Sequence, residues 1–283
     1  MISQTKQAAV SGRNRLEDSP LSDIIINQED AEQLYTIYPD LPRSHMQGCP
    51  SCGKNKGLNV DGEVTLDGIT YTCNCKDQLQ RHKHYLNAGI GLTYQIIDWA
   101  DYHSDPEAYE GIRRYADEVR ENVEAGVGFL LFSNANGVGK TTLAMLAAKA
   151  AVMAGINTFC TTYSDMLSSM RAGWRDPNFA KWYKQRIDSA QVLLIDDVGK
   201  EVYKESGFSL EFSTQTLDSL IRTRVQQNRP TLITSNYGAE AMEGAYGHAL
   251  MSLLMEQGEC YELVGEDYRP KVIKKRKGKR RIY

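Results

Sequence analysis

No stretch of these 283 residues approaches the ~18 consecutive apolar residues that a membrane-spanning helix needs, so no membrane partner is expected. The opening residues Met1-Ile-Ser-Gln-Thr-Lys-Gln7 have no apolar core of the signal-peptide type. A cytoplasmic location is therefore expected, and with it reduced thiols. Internal repeats are missing too. Acids are missing from one segment: between Arg269 and Arg281, nine residues are Lys or Arg and none is Asp or Glu. Set apart from that segment, 24 basic residues face 36 acids, so the body is near −12 although the whole chain is at −3. An acidic body with a basic tail makes the tail the part that meets a polyanion; the plainer alternative is a solvated terminus. The sixteen tyrosines are scattered, which argues for core and surface positions over a stacking platform.

Against these absences, residues 128–149 stand out. Phe129 to Phe132 reads as a buried strand, a Gly-containing turn follows, and Thr141 to Ala151 carries an Ala- and Leu-rich helix pattern. The turn, Asn134-Ala135-Asn136-Gly137-Val138-Gly139-Lys140-Thr141-Thr142, has the composition of a phosphate cradle. Glycines let successive N–H groups curl round a phosphate, and the new helix N-terminus adds its own donors. Lys140 supplies a point charge for terminal phosphates, and the Thr141 hydroxyl is placed to ligate magnesium. One glycine is lacking: Asn134 stands where the common form G-x-x-x-x-G-K-[ST] begins. A chance Gly-rich turn is the bland alternative.

A second strand, Val192-Leu-Leu-Ile195, ends in Asp196-Asp197, 56 residues after Lys140. Acids at the carboxyl end of a central strand fall where open α/β sheets bind ligands. Asp196 would hold magnesium, directly or through water, and Asp197 would orient or deprotonate an attacking water. A third strand, Pro230 to Asn236, ends in an amide suited to positioning that water or sensing the terminal phosphate. Helical spacing of Leu217, Leu220, Ile221 and Val225 puts Arg222 and Arg224 toward the polar side, as candidates for reaching a neighbour's nucleotide.

Four of the six cysteines form two close pairs, Cys49-Pro-Ser-Cys52 and Cys73-Asn-Cys75. In a reducing compartment, two such pairs read as a structural zinc site, because four thiolates complete tetrahedral Zn²⁺. Between them, residues 57–64 and 67–72 look like short strands with turns, a ribbon geometry. His82 and His84 follow on a polar helix pattern (Lys76 to Asn87) and read as solvated. Cys160 and Cys260 read as small core residues.

Together these elements resemble the DnaC/DnaI/IstB family of AAA+ ATPases, helicase loaders and their transposition relatives. The resemblance spans about residues 49–269. It is carried by the cysteine pairs, Asn87-Ala-Gly-Ile-Gly-Leu-Thr-Tyr94, the phosphate loop, Leu194-Ile-Asp-Asp-Val-Gly-Lys-Glu201, Arg224 through Thr234-Ser-Asn236, and Gly265-Glu-Asp-Tyr-Arg269. It implies an α/β AAA+ P-loop core with a parallel sheet, preceded by a small zinc-ribbon module. The implied organisation is a flexible segment over 1–44 with a short helix at Gln28–Tyr38, a zinc ribbon over 45–76, a helical connector over 77–123, an ATPase domain over 124–268, and a basic tail over 269–283.

The resemblance also implies ATP with Mg²⁺ at the loop, Asn236 as first nucleotide sensor, and Arg224 or Arg269 as trans or sensor arginines. Single-stranded DNA would lie on the face carrying Thr161 to Arg171. A replicative helicase is the implied partner, with self-association on ATP or DNA. One residue is lacking here as well: relatives carry Ser-Arg-Leu before the last strand, and this chain has Ser252-Leu253-Leu254. Slow ATP hydrolysis, or an arginine from elsewhere, is the expectation. A transposition ATPase of the IstB type and a nucleotide-stabilised scaffold stay open as alternatives.

Overall fold

The computed structural model describes residues 63–66, 69–72, 84–95, 97–172, 176–199 and 210–267. The chain divides into two compact units, residues 1–87 with 152–155, and residues 88–151 with 156–283. In the first unit, β1 (Glu63–Leu66) pairs antiparallel with β2 (Ile69–Thr72), Glu63 opposite Thr72 and Leu66 opposite Ile69. Asp-Gly is the sequence between them, a pair that two-residue hairpins favour. β2 falls within the second strand expected between the cysteine pairs, 67–72, whereas β1 overlaps the first, 57–64, only at Glu63 and Val64, residues 57–62 lying outside those described. Cys49, Cys52, Cys73 and Cys75 lie outside the described residues, as do the Gln28–Tyr38 helix, Lys200, Glu201, Arg269 and the basic tail. His84 corrects its sequence reading: it is 1% exposed, not solvated. Tyr85 beside it is buried as well, so a stretch polar in composition still turns an inward face.

The second unit is built on five parallel strands: β3 (Gly128–Phe132), β4 (Thr158–Thr162), β5 (Val192–Val198), β6 (Thr231–Ser235) and β7 (Gly258–Glu262). Their order across the sheet is β4-β5-β6-β3-β7. Parallel neighbours require crossovers, and here these are helical. Ahead of the sheet come α1 (Pro106–Asp117) and α2 (Val119–Glu124). Between strands run α3 (Lys140–Met153), α4 (Tyr163–Ala172), α5 (Pro177–Ser189), α6 (Leu210–Gln226), α7 (Ala239–Tyr246) and α8 (His248–Gln257).

Local chemistry sets several boundaries. Asp105 precedes Pro106 and its side chain accepts from Ala108 N, which starts α1. Asp176 and Pro177 repeat the device for α5. Every residue of β3 and β6 is buried, and so is Val192 to Asp196 of β5, as expected of strands covered on both faces. Leu130, Leu193 and Ile233 from adjacent strands meet Leu217 and Ile221 of α6 in one core cluster. Each such side chain contributes about 1.5–3 kcal/mol on burial.

The outer edge of β4 is not left bare, since Cys160 N donates to Ala88 O at 2.7 Å. With β3 between β6 and β7, the carboxyl ends of β3, β5 and β6 open side by side. This is where open α/β sheets bind ligands. Among the described residues, no helix is long and apolar enough to cross a membrane.

Candidate nucleotide site

The loop from β3 to α3 is shaped by two left-handed glycines, Gly137 at φ +76° and Gly139 at φ +97°. At Gly139 space demands glycine as well as conformation does. A Cβ on Gly139 would come 2.5 Å from the ring of Tyr102, and one on Gly137 would run into the Asp267 carboxylate. Val138 between them is fully buried and anchors the turn. Leu143 N donates to Gly139 O at 3.0 Å, closing the first turn of α3. The N–H groups that open a helix have no intrahelical acceptor and form an anion site.

Lys140 is 5% exposed; its Nζ donates to Ala135 O at 2.9 Å and to Ser133 O at 3.4 Å, across the span of the loop. A phosphate cradle closed by a lysine fits a nucleotide's phosphates. The glycine missing at 134 is explained here. Only Asp197 and Asn228 among the described non-glycine residues have positive φ, so the backbone at 134 makes no demand for glycine. Asn134 is instead used: its Oδ1 accepts from Gly238 N at 2.8 Å, tying the loop to the segment after β6.

The acidic pair is aimed by an irregularity in the sheet. Between Ile195 and Val198 the β5–β6 register slips, two residues on β5 standing against one on β6. Regular alternation would send Asp196 and Asp197 to opposite faces. The bulge, with Asp197 at φ +62°, instead gives both side chains partners in the site. Asp196, 6% exposed, accepts at Oδ1 from Thr141 Oγ1 at 2.8 Å and from Thr234 Oγ1. Thr234 Oγ1 in turn accepts from Asp197 N at 2.9 Å. Asp197 Oδ1 accepts from Asn236 Nδ2 at 2.8 Å. A hydroxyl and a carboxylate paired at the foot of a phosphate loop are the oxygen donors Mg²⁺ takes alongside nucleotide phosphates.

The structure thus brings Lys140, Thr141, Asp196, Asp197 and Asn236 together. It also adds residues that sequence reasoning assigned no role: Thr234, which bridges the two aspartates, Tyr102 and Asp267. Burial, chiefly, pushes the Tyr102 phenol up to about 12, so it is neutral at physiological pH.

Arg224 requires a correction. Helical spacing put it on the polar side, yet it is 2% exposed. Its guanidinium donates to Thr231 Oγ1 at 3.0 Å and to the carbonyls of Ala190, Gln191 and Pro230 at 3.1, 3.1 and 2.8 Å. Burial and then Arg229 bring it down to about 10, opposed by Asp188, so it stays charged at neutral pH. A side chain spent on carbonyls inside its own fold does not reach a neighbouring molecule's nucleotide. Arg222 is the exposed one, paired with Asp218 at 2.7 Å. Leu253 packs against the core from α8. Among the described residues no cluster of metal-ligating His, Cys, Asp and Glu occurs.

Sheet order, phosphate loop and strand-end acids define an α/β fold of the AAA+ P-loop class. The model of the family described as IstB-like ATP binding protein matches residues 126–276, more than half of the chain, and the chain belongs to that family. A curated relative, the replicative helicase loader DnaC of Escherichia coli (strain K12), is 22% identical over 199 residues, covering 70% of this chain and 79% of that one. The crystal structure of the DnaC helicase loader superposes with a TM-score of 0.52 at 22% identity, over 62% of this chain and all of that one, which shows the shared fold. A DnaI structure gives a TM-score of 0.48 at 18% identity, over 62% of this chain and 93% of that one.

Proposed function

We propose that this protein is an ATP-dependent helicase loader of DNA replication. In this reading it binds ATP with Mg²⁺ and single-stranded DNA, and delivers a replicative helicase. The observation that carries the ATP part is the pairing at one sheet edge of Thr141 with Asp196 and of Asp197 with Asn236, beside the glycine cradle. Bound there, ATP would lie on the N–H groups of Gly137 to Thr141 and on Lys140. Thr141 and Asp196 would hold the magnesium. Magnesium would supply charge neutralisation on the phosphates, Asp197 and Asn236 would orient the water that attacks the terminal phosphate, and Asp196 would keep Thr141 turned toward the metal.

The loader part is supported by the curated DnaC relative and by an exposed aromatic pair. Phe179 and Trp182 on α5 are 42% and 51% exposed, with ring centroids 5.9 Å apart and Lys181 between them in sequence. Exposed aromatic rings are what unstacked bases stack on. Hydrolysis is slow in this reading, because Leu253 stands in the arginine's place and Arg224 is buried. The four cysteines hold Zn²⁺ in a structural ribbon over residues 45–76 that grips the helicase, and ATP or DNA drives self-association.

Affinity purification of the wild type and of Lys140→Ala from the native cell tests the reading. Recovery of a replicative helicase, altered in amount by the substitution, is the expected result. Recovery of a transposase alone would favour the transposition reading, for which the family description is the specific support. Stabilisation by ATP without turnover, even with partner and DNA present, would favour a scaffold.

A further inference from the structure

Asp267 touches the phosphate loop, and neither the family resemblance nor the reading above uses its carboxylate. The segment that brings it there is pinned at its start, at Leu263 and Val264. Leu263, 1% exposed, donates its N–H to Phe132 O at 2.9 Å, prolonging the β3–β7 pairing by one bond. Val264 N donates to Asp105 Oδ2 at 3.0 Å, while the other oxygen of that buried carboxylate caps α1 through Ala108 N at 3.0 Å. Gly265, at φ +157°, passes so close to Ser104 that a Cβ there would lie 2.7 Å from its Oγ. Two residues on, the Asp267 carboxylate fills the place where Gly137 would carry a side chain.

We propose that Asp267 is an affinity-setting residue of the nucleotide site: it places a fixed negative charge against the phosphate loop, so that a triphosphate binds only against its repulsion. The inference rests on the reading of the loop as an ATP site. Like charges a few ångströms apart repel even where water reaches them, as it does the exposed Asp267 carboxylate, and salt screens that repulsion. ATP must therefore bind beside the carboxylate or displace the pinned strap of Leu263 to Asp267. Either way its apparent affinity falls. The loop is thereby set for weak nucleotide binding that strengthens when the strap yields, which suits a switch more than a motor.

Titrating the full-length protein with Mg–ATP and Mg–ADP tests this, using the wild type, Asp267→Asn, Asp267→Ser, Asp267→Glu and Lys140→Ala. Removal of the charge is expected to tighten ATP binding about tenfold, ADP binding less, and both gains should shrink as salt rises. Asp267→Glu should stay near the wild type. Equal or weaker ATP binding by both neutral variants, with unchanged thermal melting, would overturn the proposal; weaker binding would mean that the carboxylate helps hold the metal. A gain equal for ATP and ADP and indifferent to salt would also overturn it, since that is relief of packing and not of charge. If the folded wild type bound no ATP, the underlying reading would fall. If it bound ATP in a Lys140-dependent way and the neutral variants did not differ from it, only the present inference would fail.

Discussion

Arg224 carries its charge where almost no water reaches it, and this is sustainable because the Thr231 hydroxyl and carbonyl oxygens, among them those of Ala190, Gln191 and Pro230, receive its N–H groups. Those carbonyls close the entries to β5 and β6, so the arginine clamps two strands at their starts. Truncation would leave several buried acceptors unpaired, each costing about 1–3 kcal/mol. We expect Arg224→Ala to lower the unfolding free energy by at least about 3 kcal/mol in a denaturant titration, with self-association per folded molecule unchanged. Loss of ATPase at full stability would restore a role in trans. Thr234 is the second residue whose importance is tertiary. Thr234→Val keeps the shape but removes the donor to Asp196 and the acceptor for Asp197 N. A loss of about 1–3 kcal/mol is expected, together with weaker Mg–ATP binding, measured by melting with and without nucleotide.

At the scale of elements, the phosphate loop and the strand facing it differ in how openly the sequence shows them. The loop announced itself through its glycines and Lys140-Thr141, and β3 and α3 lie where the apolar run and the helix pattern put them. Gly137→Ala should abolish nucleotide-dependent stabilisation, and a Gly137→Ala, Asp267→Gly double variant should not recover it, because the left-handed backbone forbids the added Cβ even with the carboxylate gone. Recovery in the double variant would mean that the clash alone makes glycine necessary. The β5 bulge could not be read from Asp196-Asp197, since an extra residue in one strand is defined only by its partner. Helix α5 poses a sharper surface question. Replacing Phe179 and Trp182 together by alanine should weaken single-stranded DNA binding by about 1–3 kcal/mol per base unstacked, measured by anisotropy at fixed salt. An undisturbed melting curve would confirm that only the surface had changed.

For the whole molecule, the separation of charge is the property with the widest consequence. Deleting residues 271–283 should flatten the dependence of log affinity on log salt, by about 0.7 for each single-strand phosphate that the tail had neutralised. An unchanged slope would move polyanion binding onto the body of the protein. The line of three strand ends was legible because β3, β5 and β6 are each an apolar run followed by a polar signal; β4 and β7, Thr158–Thr162 and Gly258–Glu262, carry no such run. The inward turn of Arg224 was not, since a cation at an amphipathic boundary has two resolutions, and only the loops at the starts of β5 and β6 decide between them.

What the sequence determined by itself is local and periodic: β3 as an apolar run, the cradle at Asn134 to Thr142, the acids after Ile195, and Asn236 at a strand end. Such features are written in neighbouring residues, because backbone conformation and burial pattern follow from short-range spacing. The tertiary structure alone decided what reaches across the chain. It joined Asn134 to Gly238, turned both aspartates toward the site through Thr234, enclosed Arg224, and laid Asp267 on Gly137. Each of these depends on the distance between segments far apart in sequence, and parallel crossovers set that distance only once the sheet has formed.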